Sequence, residues 1–467
     1  MPIDEKERLQ ARIRRIGAGD VVLVRPGVTS ESLTSHIAGV ILQPNVPLFW
    51  LTMFGIGIIA LCMFVIAVAI LLDVGIGELG TNIPVGWAFP IANYVWWIEI
   101  AVGGSLLSSI LHLTNQKWRN SINRIAEAVT LAGIMCASLY PVLHLGRAWI
   151  FYWTLPYPNT LTIQPNFRSP LIWDVFGIFT YAAASVLFWY LDMIPDLAAV
   201  RDRAENRIAY LIFGVLALGW QGSSKQWRMQ EKGSLLLAGI LTPLVFTVHT
   251  VVSFDFAIAL VPGWHSTIFP PYFVDGAILA GISMVSMITI ALRSAFSFEN
   301  IITDQHLNNL GKIILTTSVF LFYIYCFDSF TNWYGGNPYE QYTDRFRVFG
   351  NYAWVFWTFV AFGIAAPQLL WWKRNRTDPR ALFVISLLVV IGMWEERYML
   401  MVVSLSHDFM PSAWANFAAT AEDNALLYGS CGLFLAMVFL LVRLFPMVPL
   451  HSVRQLLPHA QNGGAIE

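Results

Sequence analysis

Val46–Leu72, VPLFWLTMFGIGIIALCMFVIAVAILL, runs without a single charged side chain. A bilayer core about 30 Å thick takes about 20 apolar residues at about 1.5 Å rise each, and only a helix satisfies its own backbone there. Reading outward with the same ruler gives ten spans, near 46–72, 84–113, 122–146, 170–194, 233–260, 272–296, 309–333, 348–372, 380–404 and 424–447. The apolar piece from Arg207 to Trp220 is too short to cross and is bounded by polar residues, which predicts an interfacial helix. The fold class is all-α: a polytopic membrane protein of about ten transmembrane helices.

Composition agrees. Of 467 residues, 57% are hydrophobic and only 12% charged, and a net charge of -1 offers no basic field for nucleic acid. Cys62, Cys136, Cys326 and Cys431 lie apart inside apolar segments, without CxxC spacing, so neither a disulfide framework nor a self-contained metal site is expected. Basic residues set the orientation. With the N-terminus in the cytoplasm, 23 of the 28 fall inside, so both termini are expected there, in a multi-pass membrane protein. About 45 polar or mixed residues precede the first span, which does not fit a signal peptide.

The segments divide into a cytoplasmic piece (1–45), a peripheral span (46–72), two four-helix bundles (84–260 and 272–404), a second peripheral span (424–447) and a cytoplasmic tail (448–467). Spans two and six both open on a Phe-Pro pair, Phe89-Pro90 and Phe269-Pro270, and continue through small residues, a weak sign of an internal repeat. The outer loops 146–169 and 334–347 are rich in Pro and aromatics, which suits either interfacial anchoring or the docking of an outer partner.

Ionisable residues inside spans are costly and mark candidate sites. Measured along the helices from their inner ends, His249, Asp328 and the Glu395-Glu396-Arg397 triplet lie about 22–26 Å up, in the outer third. Asp255 lies further out, Asp174 begins span four, and His144 closes span three. His144 and Asp174, on consecutive spans, can share an outer-face pocket where an imidazole and a carboxylate would accept the two protons a hydroquinone loses with its two electrons. The alternative is that His144 caps its helix and Asp174 pairs with Arg147 or Arg168. The triplet points in three directions, so structural pairing across helices competes with a proton relay through Glu396 or headgroup contact by Arg397. Glu99 reads as deeper, and with His112 could form an inner proton path, or simply be protonated and hydrogen-bonded to a neighbour. Too few histidines lie at membrane depth for bis-His haem ligation, so cofactors for electron transfer would reside in partners.

The runs Arg119-Asn120-Ser121-Ile122-Asn123-Arg124-Ile125-Ala126-Glu127-Ala128, Pro141-Val142-Leu143-His144-Leu145-Gly146-Arg147, Pro156-Tyr157-Pro158-Asn159 and Asn166-Phe167-Arg168-Ser169-Pro170-Leu171-Ile172-Trp173-Asp174-Val175 resemble the NrfD/polysulfide-reductase membrane-subunit family. Within it they look most like the large quinol-binding integral subunit of bacterial alternative complex III. The resemblance implies two four-helix bundles with flanking helices and no redox cofactor held by the chain. It also implies an outer-face pocket where menaquinol gives electrons to a partner iron–sulfur subunit. A second NrfD-like integral subunit and c-type cytochrome subunits carrying haem c are the further partners it implies, all set in the lipid bilayer. Carried over, His144 and Asp174 would touch the quinol headgroup; Glu396 and Arg397 match a charged patch near it; Asp255, Asp328 and His249 rest on depth alone. The competing readings are an ion-coupled secondary transporter and the sister anchor subunit that binds no quinol.

Overall fold

The computed structural model describes residues 23–43, 46–154 and 170–457, and among these every regular element is helical. Ser30–Leu42 (α1) opens on a capping box between Thr29 and Ser32. The long helices are Leu48–Val74 (α2), Phe89–Leu113 (α3), Asn123–His144 (α4), Pro170–Arg201 (α5), Ser224–Ala257 (α7), Phe269–Ala295 (α8), Asp304–Gly335 (α9), Ala353–Trp371 (α11) and Ala421–Leu444 (α13). These nine are long and apolar enough to cross a membrane. Pro379–Tyr398 (α12), expected as a tenth span, is of similar length, but Glu395, Glu396 and Arg397 at its end dilute its apolarity. A π-helical turn, Met399–Val403, carries it on.

Arg207–Leu216 (α6) is the short apolar helix read from sequence, with Ile208, Leu211, Ile212 and Val215 exposed. The stretch 334–347, expected as a loop, is mostly helix: Asn337 accepts from Tyr339 N–H and starts Pro338–Phe349 (α10). The Pro at its first position suits a helix start. Residues 156–159, 166–169 and Arg168 lie outside the described residues.

Helices α3, α4, α5 and α7 close one ring of contacts, and α8, α9, α11 and α12 a second. The rings are joined mainly through α3 and α8, which are the most enclosed spans. The two helices cross glycine against glycine. A Cβ on Gly281 would lie 2.9 Å from Ile100 O and still nearer Gly103 Cα, so the crossing exists only because both positions lack a side chain. Outside the rings, α2 packs along α13, which rests on α4.

Candidate functional site

The basic-residue orientation names the end carrying the 75–88 and 258–268 turns the outer end. There α3, α4, α5 and α7 bring several expected residues close. Asp174, in the first turns of α5, is 6% exposed, and its Oδ2 accepts from the Tyr94 hydroxyl on α3 at 3.2 Å. Asp255 on α7 interacts with the same carboxyl group side chain to side chain. Asp174 Oδ1 and Asp255 Oδ1 have no hydrogen-bond partner among the described residues. Two carboxyl groups and a phenol thus converge, with Asp174 and Tyr94 buried and Asp255 partly buried.

His144 ends α4, as expected, yet the described contacts hold no hydrogen bond or ion pair between it and Asp174. Its described neighbour is Trp87, whose ring stands perpendicular at 6.5 Å. Trp87 in turn packs on Trp264 (5.9 Å) and Phe256 (6.1 Å). The described contacts give two features here: a carboxyl pair with Tyr94, and a histidine against an aromatic wall whose Phe256 adjoins Asp255 in the chain. Asp174 lies beside Tyr94 and Asp255, while the 75–88 turn brings Trp87 to the end of α4. No ion pair joins Asp174 to Arg147, which is exposed.

A second group sits between the bundles. Arg397 on α12 forms ion pairs with Glu99 on α3 and, at 3.0 Å, with its neighbour Glu396; all three side chains are fully buried. The guanidinium lies 4.1 Å from the ring centre of Phe273 and 4.9 Å from that of Tyr272, a cation–π arrangement. His249 Nε2 is 3.8 Å from the same Glu99 oxygen. Glu396 Oε1 accepts from Tyr325 OH at 2.8 Å, and that hydroxyl meets Tyr272 OH at 2.8 Å. Gly276 makes the room, since a Cβ there would lie 2.8 Å from Arg397 Nη2.

This arrangement corrects the reading of Glu99 as part of an inner group. Residues 84–88 are not helical, so α3 starts at Phe89 and Glu99 lies only about 15 Å from its outer end, level with Arg397. His112 is about 20 Å further along the same helix. Its Nδ1 is 2.8 Å from Arg119 Nη1 and its Nε2 is 3.1 Å from Ser234 Oγ. It lines a large polar cavity at the inner end with Arg119, Arg124, Asp192, Asp196 and His451. Arg124–Asp196 (3.0 Å) and Arg119–Asp192 (3.4 Å) brace its walls.

Asp328 forms no ion pair with either group but borders the second one through its tyrosines. Its Oδ1 accepts from Ser266 Oγ at 3.0 Å, and it lines a narrow cavity of the second bundle with Arg347, Tyr272 and Tyr325. Sequence reasoning missed Tyr94, Trp87, Trp264, Tyr325 and Arg347. For Tyr94 a signal existed, a hydroxyl-bearing ring one and a half turns from Glu99 on an otherwise apolar span.

The chain resembles known proteins along most of its length. A putative dimethyl sulfoxide reductase membrane subunit of Halobacterium salinarum is 26% identical over 68% of this chain and 69% of its own. A selenate reductase subunit of Mesobacillus selenatarsenatis is 23% identical, over 58% of this chain and 62% of its own. An Hdr-like menaquinol oxidoreductase integral membrane subunit of Archaeoglobus fulgidus is 22% identical over 83% and 91%. The family model described as polysulphide reductase, NrfD, matches residues 77–406, which covers both helical rings, the Asp174 cluster and the Arg397 group. The chain is a multi-pass membrane protein of the NrfD family.

Proposed function

We propose that the chain is the integral membrane subunit of a quinol-oxidising electron-transfer complex, of the alternative complex III type, and binds a menaquinol-type quinol at the outer end of its first bundle. The observation that carries this reading is the Asp174–Asp255–Tyr94 cluster beside His144. Oxidation of a quinol to a quinone releases two electrons and two protons. His144 takes one proton and the Asp174–Asp255 carboxyl pair, whose Oδ1 atoms lack hydrogen-bond partners among the described residues, takes the other. Tyr94 holds Asp174 through its hydroxyl.

The electrons pass to an iron–sulfur subunit docked on the outer face, and from there to c-type cytochrome subunits carrying haem c. A second NrfD-like integral subunit stands beside this one, and both termini of the chain lie in the cytoplasm. The A. fulgidus relative, named a menaquinol oxidoreductase subunit, supports the choice of donor; the two reductase subunits support a place beside redox partners. The deep Glu99–Arg397–Glu396 group holds the two bundles together and does not touch the quinol in this reading.

His144→Ala and Asp174→Asn, each in the complex purified from membranes, test it. Quinol oxidation falls by about 10²–10⁴-fold, as loss of a proton acceptor costs. Unchanged turnover in the assembled complex removes the site.

A further inference from the structure

The turn between the two bundles, residues 258–268, is held from the side of the second bundle. Gly263 has φ +81°, a left-handed conformation that a side chain resists. Both of its backbone polar groups are taken by α10. Its N–H donates to Glu340 Oε2 at 2.6 Å, and its carbonyl accepts from Arg347 Nη2 at 2.9 Å. The same nitrogen donates to Ser404 Oγ at 2.8 Å, while Nη1 stands 3.7 Å from Asp344. A Cβ on Gly263 would come 2.9 Å from Thr343 Cγ2 and nearer still to Arg347.

The next residue is Trp264. Its indole N–H donates to Leu400 O at 2.6 Å in the π turn beyond Arg397. Its ring packs on Phe256 (4.9 Å) and on Trp87, the ring that stands against His144. Two indoles therefore separate the Gly263 clamp from His144. The groups placed to receive protons sit on α4, α5 and α7, whereas of the two turns that carry the wall beside them, 258–268 is fixed by α10 and by the π turn after α12, and 75–88 is tied to Asn416 and to Asp423 of α13.

We infer that Glu340 and Arg347 are positioning residues for the outer-end site: by clamping Gly263 they hold the Trp264–Trp87 wall against which His144 rests and a flat quinol ring lies. The inference rests on the quinol reading of that site. Releasing the clamp loosens the wall without moving His144, Asp174 or Asp255 from their helices. Binding is weakened and the chemical step is largely spared.

The test compares Glu340→Ala with Glu340→Gln in the complex purified from membranes, using a short-chain naphthoquinol as donor. Glu340→Ala and Trp264→Phe raise KM about tenfold with kcat nearly unchanged, the pattern of lost ground-state binding. Glu340→Gln, whose amide oxygen still accepts the Gly263 N–H, stays close to the parent protein. Arg347→Lys, which keeps charge but not the fork, falls between them. A parent-like KM in Glu340→Ala overturns the inference, as does a Glu340→Gln variant as impaired as Glu340→Ala. His144→Ala in the same series separates the two levels. If it abolishes turnover while Glu340→Ala does nothing, only the clamp fails; if it also leaves turnover intact, the quinol site fails and the clamp with it.

Discussion

Arg397 and Glu99 form a fully buried ion pair across the boundary between the two bundles. Charges taken out of water are tolerated only when paired and further bonded, and removing one partner typically costs about 3–5 kcal/mol, whereas replacing both with apolar groups of similar volume is often neutral. Arg397→Met alone therefore lowers the thermal stability of the complex sharply, because Glu99 is left with His249 as its remaining polar neighbour. The double variant Glu99→Leu/Arg397→Met recovers part of the loss, Glu396 then keeping only the Tyr325 hydroxyl as partner. A double-mutant cycle on melting temperature checks this, and additive single effects would contradict it.

At the Gly103–Gly281 crossing, the two central helices meet backbone to backbone. Gly103→Val must push α3 and α8 apart, an overpacking that costs roughly 1–3 kcal/mol or more. Lower yield of folded protein and a reduced melting temperature are expected, with KM for quinol little changed in whatever assembles.

Outside the membrane spans, burial raises the Glu340 carboxyl above its usual range, partly offset by the Gly263 N–H, and burial likewise raises Asp344 against the pull of Arg347. A raised carboxyl pKa means that the folded chain binds the proton more tightly than the unfolded one. Stability from these groups is thus greatest below the usual carboxylate range and is lost as pH climbs through the raised values. Glu340→Gln removes the penalty of holding a charge there. Its melting temperature should equal or exceed that of the parent protein at pH 8, and the advantage should shrink towards pH 5. A pH series of thermal melts decides it; an advantage that grows on acidification would be the wrong sign.

The spans were legible because lipid imposes a length and a polarity that few other environments do: each expected apolar run holds a long helix, although α5 and α7 continue past theirs at the inner end, and even the short α6 stands where its polar borders put it. The partners of the buried charges were not legible. Helical rise gives depth but not azimuth, so it could not say that Glu99 faces Arg397, nearly three hundred residues later, or that Asp174 faces Tyr94 and Asp255 in place of His144. The error in depth for Glu99 came from counting residues 84–88 as helix, although Pro90 sits in the first turn of α3 and marks its true start. The Gly263 clamp lay beyond reach for another reason, since α10 was read as a loop and its Glu340 and Arg347 as loop charges.

The most direct test is binding of a non-oxidisable quinol analogue to the intact complex, measured by calorimetry for the parent protein, for Asp174→Asn and for His144→Ala. The parent protein should bind one analogue per chain in this subunit, and each variant should weaken that binding at least about tenfold, the size of one lost charge-assisted hydrogen bond. Equal affinity in all three, with the complex intact, would contradict a quinol site at the outer end of the first bundle.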